Sequence, residues 1–156
     1  MLFKKNQQAN PDPLWILIAN RAKARIYSME SSYSGLRWIS GMLCNEARRN
    51  KPEPKQSSSS HFTTISYPGS HEHVTELFAK EIASTLRTSR AKNLFKDLVL
   101  ISEPSFLGRL NVTLDKATKK RVVSAYSGDI ANASQQDIIR VVRGLIKPSE
   151  WIRLSA

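Results

Sequence analysis

The sequence predicts a single α/β domain in which helices cover a mixed five-stranded sheet. Two apolar runs, Leu14–Ala19 and residues 98–102, have the length of strands and lack polar alternation, which is typical of strands buried on both faces. Segments with helical periodicity lie on either side of the second run. A chain of 156 residues with 40% hydrophobic content has enough apolar side chains for one core. Together these observations predict the order β-β-β-α-β-α-β-α.

The N-terminal part predicts three antiparallel strands in a meander. Residues 1–13 are polar and contain two prolines, so we interpret them as a flexible leader before the first strand. A polar turn separates that strand from an alternating strand that begins at Ala24, and a second turn precedes a strand at Leu36–Cys44. Gly41 inside the third strand indicates a bulge or a bend.

Residues 45–70 have the composition of a long basic loop. They contain prolines at 52, 54 and 68, a run of four serines and several basic residues. Because a loop of this length in a compact domain is typically mobile or functional, we expect poor order across at least residues 52–60.

The C-terminal part predicts three helices and two further strands. Ser70 is the predicted N-cap of the first helix, whose apolar stripe faces the sheet and whose end is basic. Pro104 follows the central strand and opens a helical segment, after which residues 122–126 form the fifth strand. Ser134 and Asp137 are spaced as an Asp variant of the capping box at the start of the last helix. The predicted domain spans residues 14–147, with a tail at 148–156.

The chain is strongly basic. It has 24 Lys+Arg against 13 Asp+Glu, a net charge of +11 at neutral pH. Such an excess favours approach to phosphate backbones or anionic surfaces, and the alternative is a charge that only keeps the protein soluble. A single cysteine, Cys44, excludes an intramolecular disulfide, and no run approaches the ~20 apolar residues of a membrane span. We therefore expect a cytoplasmic protein without membrane insertion.

No catalytic residue, metal site or cofactor is predicted. His71 and His73 point to different sides of a helix, and no cysteine or carboxylate stands at a ligand spacing beside them or His61. The strand ends supply too few carboxylates for a magnesium-dependent nuclease. The possible nucleophiles, Ser102, Ser105 and Cys44, lie outside any Gly-x-Ser-x-Gly elbow.

Three basic clusters are the predicted nucleic-acid-binding residues. They are Arg21, Lys23 and Arg25 at the first turn, Arg48, Arg49 and Lys51 in the long loop, and Lys116, Lys119, Lys120 and Arg121 before the fifth strand. Two clusters on one face would form a surface that follows a phosphate backbone. Nearby aromatic residues, Tyr33, Trp38, Phe62 and Tyr67, either stack on unpaired bases or pack internally. The alternative for all these charges is an ordinary solvated face.

Four sequence motifs resemble those of one bacterial family, the proteins required for attachment to host cells. The motifs are Ala19-Asn20-x-Ala22-x-Ala24-Arg25-Ile26, then Glu72-His73-x-x-Glu76-x-Phe78-Ala79-x-Glu81-Ile82-Ala83, then Pro104-x-Phe106-Leu107-Gly108-x-Leu110, and finally Arg121-Val122-Val123 with Asp129-Ile130 and Ser134-x-x-Asp137-Ile138. The resemblance covers about residues 14–146. It implies a fold like the middle domain of archaeal and eukaryotic peptide-chain release factors, which is akin to a ribonuclease H-like sheet.

The resemblance and the charge lead to one main hypothesis and two alternatives. Release-factor middle domains carry a Gly-Gly-Gln loop that enters the peptidyl-transferase centre, and this sequence contains no Gly-Gly-Gln. The main hypothesis is therefore a non-enzymatic protein that contacts RNA or the ribosome through basic loops. The alternatives are a protein-interaction factor in attachment, and a peptidyl-RNA ester hydrolase that lacks the Gly-Gly-Gln loop. Neither the ligand nor the oligomeric state is predicted.

Overall fold

Six strands and four helices form within residues 14–29, 35–45, 62–130 and 132–146, which are the residues that the computed structural model describes. The strands are β1 Leu14–Ala19, β2 Lys23–Met29, β3 Leu36–Cys44, β4 Thr63–Ile65, β5 Asp97–Ser102 and β6 Val122–Ser127. The helices are α1 His71–Ala91, α2 Pro104–Thr113, α3 Lys116–Lys119 and α4 Gln135–Leu145. The predicted leader, tail and poorly ordered residues 52–60 lie outside the described ranges.

The strands form one mixed sheet in the order β4-β3-β2-β1-β5-β6. β1, β2 and β3 are the predicted antiparallel meander, whereas β1, β5 and β6 run parallel. The two apolar runs therefore lie side by side in the centre, with Leu17 opposite Leu100. All six residues of each are buried, as expected for strands covered on both faces. The predicted α/β class is confirmed.

The predicted count of five strands was one too low. β4 lies within the segment predicted to be a loop and pairs in parallel with Met42–Cys44 of β3. It has only three residues, which is too short for a periodic pattern, and its pairing depends on a partner distant in sequence. The segment after Pro104 likewise forms two helices rather than one, because Leu114 adopts an extended conformation and Asp115 caps the short α3.

Helices pack on the two faces of the sheet with different apolar layers. Residues of α1 and α2, including Phe78 and Phe106, pack on the alternate strand positions that contain Leu17 and Leu100. α4 packs on the opposite face, where Ile138 and its neighbours contact the intervening strand positions. Because side chains alternate along a strand, each central strand contributes to both layers.

The predicted helix caps are confirmed. The hydroxyl of Ser70 accepts a hydrogen bond from the amide of His73 (3.3 Å), and that of Ser134 accepts one from the amide of Asp137 (3.2 Å). Each satisfies an amide that has no partner within the first turn of its helix. The positions at which α1 and α4 begin are thus set by the local sequence.

Candidate functional site

A surface cavity of about 550 Å³ opens at the end of the sheet where strands β5 and β6 begin. Its lining consists of five basic side chains, one acidic side chain and an alanine. They are Arg90, Lys96, Lys116, Lys120 and Arg121, together with Asp97 and Ala117. We call this the basic cavity. Its volume falls within the range of about 300–1,000 Å³ that is common for ligand sites.

Three separate segments bring these residues together, namely the end of α1, the start of β5 and residues 116–121. Arg90 lies in the last turn of α1, Lys96 precedes β5, and Lys116 and Lys120 lie at the two ends of α3. Backbone hydrogen bonds hold Arg121 beside the start of β5. Its amide donates to Thr118 O (2.9 Å) and its carbonyl accepts from Leu98 N (2.8 Å). The cavity is therefore built on the junction between α3 and the parallel strands.

Arg90 is held in place by the N-terminal cap of α3. Its Nε donates to Thr118 Oγ1 (3.2 Å), and its Nη2 lies 3.5 Å from Asp115 Oδ2. The Asp115 carboxylate also accepts from the amide (3.3 Å) and the hydroxyl (2.5 Å) of Thr118, whose side chain is fully buried. The guanidinium is thus pre-positioned, and its side chain remains 21% exposed at the cavity.

These contacts lower the pKa of Asp115. The largest cause is the hydrogen bond from the Thr118 hydroxyl, with smaller contributions from backbone amides and from the charge of Arg90, while partial burial acts in the opposite direction. The carboxylate therefore stays ionised at neutral pH and keeps Arg90 oriented.

Positive charge dominates the rest of the basic cavity. Within the described part of the chain, no carboxylate forms an ion pair with Lys116, Lys120 or Arg121. Lys116 and Lys120 are exposed and Arg121 is partly exposed. Flexible ammonium groups around a fixed guanidinium can contact several oxygens of an anion such as phosphate.

The first predicted basic cluster lies at the opposite end of the strands from the basic cavity. Arg21 follows the end of β1 and pairs with Glu103, which follows the end of β5, with 3.3 Å between Arg21 Nε and Glu103 Oε1. Lys23 Nζ lies 5.0 Å from the centroid of the Phe62 ring. Since β5 is six residues long, about 17 Å of strand separates this cluster from the basic cavity. The two described clusters therefore do not share a surface.

Arg25 is buried and makes internal contacts. It is 9% exposed, and its Nη1 donates to the Tyr27 hydroxyl (3.0 Å). Its Nη2 lies within hydrogen-bonding distance of the carbonyls of Ile130 (3.3 Å) and Ala133 (3.4 Å). The side chain thus ties the segment before α4 to β2, so the grouping of Arg25 with surface residues was wrong.

Asn20, in the same motif, also has a structural role. Its Oδ1 accepts hydrogen bonds from the amides of Ala22 and Lys23, both at 2.8 Å, and so shapes the turn between β1 and β2. The turn between β1 and β2 and the contacts of Arg25 therefore explain the sequence motif at residues 19–26.

Three of the four residues in the last predicted cluster line the basic cavity. The exception is Lys119, which is exposed on α3 but is not part of the lining. Arg48, Arg49 and Lys51 lie outside the described residues. Arg90 and Lys96 were missed because they come from other segments of the chain. The basic end of the first helix was the one signal that indicated Arg90.

The aromatic residues near the first cluster pack against one another. Trp38 makes edge-to-face contacts with Tyr27 (5.5 Å between centroids) and Phe62 (5.2 Å). The neighbouring strand pair has a β-bulge opposite Ile26 and Tyr27, where Ile39 is the extra residue. A Cβ on Gly41 would lie 2.7 Å from both the Phe62 and Trp38 rings. Gly41 therefore provides the space that these two rings occupy.

Of the three possible nucleophiles, two are buried, whereas Ser105 is exposed in the first turn of α2. Ser102 is 1% exposed and Cys44 is buried. Among the described residues, His, Cys, Asp and Glu nowhere form a group of three or more that could hold a metal ion. In the same residues, no helix combines the length and apolar character needed to cross a membrane.

Comparisons with known proteins identify the family. The profile of a family described as "Protein required for attachment to host cells" matches residues 15–142. Among solved structures, the chain is similar to the archaeal translation termination factor aRF1, with a TM-score of 0.48 and 14% identity over 91% of this chain and 42% of that chain. The chain thus spans less than half the length of that protein. The comparison with curated proteins found no match. Since the family profile covers most of the sequence, the chain belongs to the family of proteins required for attachment to host cells.

Proposed function

We propose that this protein binds RNA, either free or in the ribosome, through the basic cavity at the start of β5 and β6. The observation that carries the proposal is the gathering of five basic side chains from three segments around one concavity with a single acidic residue. Basic side chains that neutralise phosphates release counterions, which is the main source of sequence-independent affinity for nucleic acid. The proposal places the protein in the cytoplasm, where it acts without catalysis.

The side chains of the cavity have distinct roles in this proposal. Arg90 is fixed by Asp115 and Thr118, so its guanidinium offers a phosphate an oriented donor. Lys116 and Lys120 are exposed and adapt to the position of neighbouring phosphates. A binding mode of this kind depends on backbone charge more than on base sequence.

Co-sedimentation of the purified full-length protein with ribosomes tests the proposal. We expect comigration at low salt and its loss at moderate salt, because the affinity falls steeply as counterions compete. The double variant Lys116→Glu/Lys120→Glu should lose comigration at both. Arg140→Glu is the control and is matched in charge to the single variant Lys120→Glu, since Arg140 is an exposed helical residue of α4 on the other face of the sheet and pairs only with Asp137 among the described residues.

The outcomes separate clearly. Comigration of the double variant equal to that of the unaltered protein would show that the cavity is not the contact surface. The absence of comigration at low salt, together with no binding of labelled RNA, would end the proposal.

A second candidate function rests on the family description. Its wording, a requirement for attachment to host cells, favours a protein partner, and the basic cavity suits an acidic surface on such a partner. Competition distinguishes the two functions, because RNA displaces a partner that uses the same cavity. A partner retained in the presence of excess RNA, and by the double variant, would bind elsewhere.

A further inference from the structure

A second, smaller cavity lies next to the basic cavity. It has a volume of about 150 Å³ and lies between α1 and the end of α2. Lys80, Ser84 and Arg87 of α1 line one side, and Thr113 and Asp115 line the other. Neither Lys80 nor Arg87 belonged to the predicted nucleic-acid-binding residues, although Arg87 is part of the basic end of the first helix.

Asp115 joins the two cavities. Its side chain lines the smaller one, while its Oδ2 lies 3.5 Å from the guanidinium of Arg90, which lines the larger one. Along α1, Arg87 and Arg90 are three residues apart and so lie on neighbouring surface positions. The positive residues therefore continue from one cavity into the other without a break in the helix surface.

The charges along this surface can contact an anionic chain. Arg87 is exposed. Lys80 pairs with Glu76 at 3.2 Å, but the two side chains are 60% and 43% exposed, so this pair is weak and a phosphate can replace it. The negative charge of Asp115 is offset by Arg90 and by the hydrogen bonds from Thr118, which reduces its repulsion of a passing phosphate.

We propose that the ligand of the basic cavity is an RNA strand of several nucleotides, which continues from that cavity along α1 over Arg87 to Lys80. This inference rests on the proposed function and specifies its ligand. We call the surface formed by Lys80, Arg87 and the basic cavity the basic track. The alternative occupant of the same cavity is a single nucleotide or a terminal phosphate.

The length of the track sets the size of the strand. Lys80 and Arg90 are ten residues apart in one helix, which corresponds to about 15 Å along its axis. A stacked strand advances about 3.4 Å per nucleotide, so this part of the track alone covers about four to five nucleotides. Lys116 and Lys120 extend it further at the far end.

Labelled oligouridylates of increasing length, from a dinucleotide to a dodecanucleotide, test the inference by fluorescence anisotropy with the full-length protein. We expect the affinity to rise with length and to level off above about five or six nucleotides, because longer strands extend beyond the track. Arg87→Glu should weaken binding of the dodecanucleotide about tenfold and leave dinucleotide binding nearly unchanged, because the dinucleotide remains in the basic cavity.

Lys92→Glu is the matched control. Lys92 is an exposed residue that follows α1 and lines neither cavity. Its reversal should change the dodecanucleotide affinity less than twofold. Circular dichroism confirms that both variants are folded.

Failure of this inference differs from failure of the proposed function. The basic track is wrong, and the basic cavity remains the binding site, if uridine monophosphate competes as well as the dodecanucleotide. The same conclusion follows if Arg87→Glu behaves like Lys92→Glu while Lys116→Glu/Lys120→Glu abolishes binding. If oligouridylates of every length fail to bind at low salt, both are overturned.

Discussion

Arg90 and Asp115 link the end of α1 to the start of α3, with 3.5 Å between Arg90 Nη2 and Asp115 Oδ2. The carboxylate caps α3 through Thr118 and at the same time orients the guanidinium at the basic cavity. The N-cap residue of a four-residue helix therefore also orients an arginine that lines the basic cavity.

Stability should depend on the ionisation of Asp115. Its pKa in the folded protein is lower than in the unfolded chain, so its contribution is fully present above the unfolded pKa of about 3.9 and is lost as the pH falls through the folded pKa. Urea unfolding between about pH 5 and pH 2 should show a steeper loss of stability for the unaltered protein than for Asp115→Asn, which retains a capping side chain but cannot ionise. Parallel curves for the two proteins would contradict this assignment.

Two glycines should respond to alanine in opposite ways. Gly108 in α2 is exposed, and an added Cβ would meet no atom within 4 Å. Gly108→Ala should raise the free energy of unfolding by about 0.5–1 kcal/mol, because glycine is a poor helix former.

Gly41→Ala is the opposing case and should lower the free energy of unfolding by about 1–3 kcal/mol, since its Cβ would lie 2.7 Å from two aromatic rings. Chemical denaturation measures both variants. Stabilisation by both would mean that Phe62 and Trp38 move aside at little cost.

Arg25 should matter for stability and not for RNA binding. Arg25→Lys removes most donors from the Tyr27 hydroxyl and the carbonyls of Ile130 and Ala133, and we expect a loss of about 1–3 kcal/mol in the free energy of unfolding. Arg21→Lys is the control, because the exposed pair with Glu103 is worth no more than about 1 kcal/mol. The affinity for RNA, measured under conditions in which both variants are folded, should be the same for Arg25→Lys and Arg21→Lys. A selective loss of affinity in Arg25→Lys would indicate that the end of the sheet that contains Arg21 and Arg25 takes part in RNA binding.

Lys119 and Lys120 are adjacent and exposed, yet only Lys120 lines the basic cavity. Lys120→Ala should reduce the slope of log affinity against log salt by about 0.7, the value for one phosphate contact on a single strand. Lys119→Ala should change it by less than half of that. The measurement is anisotropy with an oligouridylate at a series of salt concentrations. Equal slopes for the two variants would indicate diffuse attraction without a defined site.

The division between what was predictable and what was not follows the range of the interactions. Leu14–Ala19 and Asp97–Ser102 were recognised as central strands because burial on both faces leaves a continuous apolar run. Ser70 and Ser134 were recognised as caps because a cap depends on three or four consecutive residues. The three-residue β4 left no such local signal.

The sequence by itself determined the three longer helices, the central strands, the family motifs and the excess of positive charge, because each of these depends on neighbouring residues or on composition. Only the tertiary structure decided where that charge acts. The parallel pairing of β1, β5 and β6 places Arg21 and Arg121 at opposite ends of these strands. The alternation of side chains along β2 turns Arg25 inward. The packing of α3 against the end of α1 brings Arg90 to Lys116 and Lys120, since contacts between distant segments depend on the assembled sheet and not on local pattern.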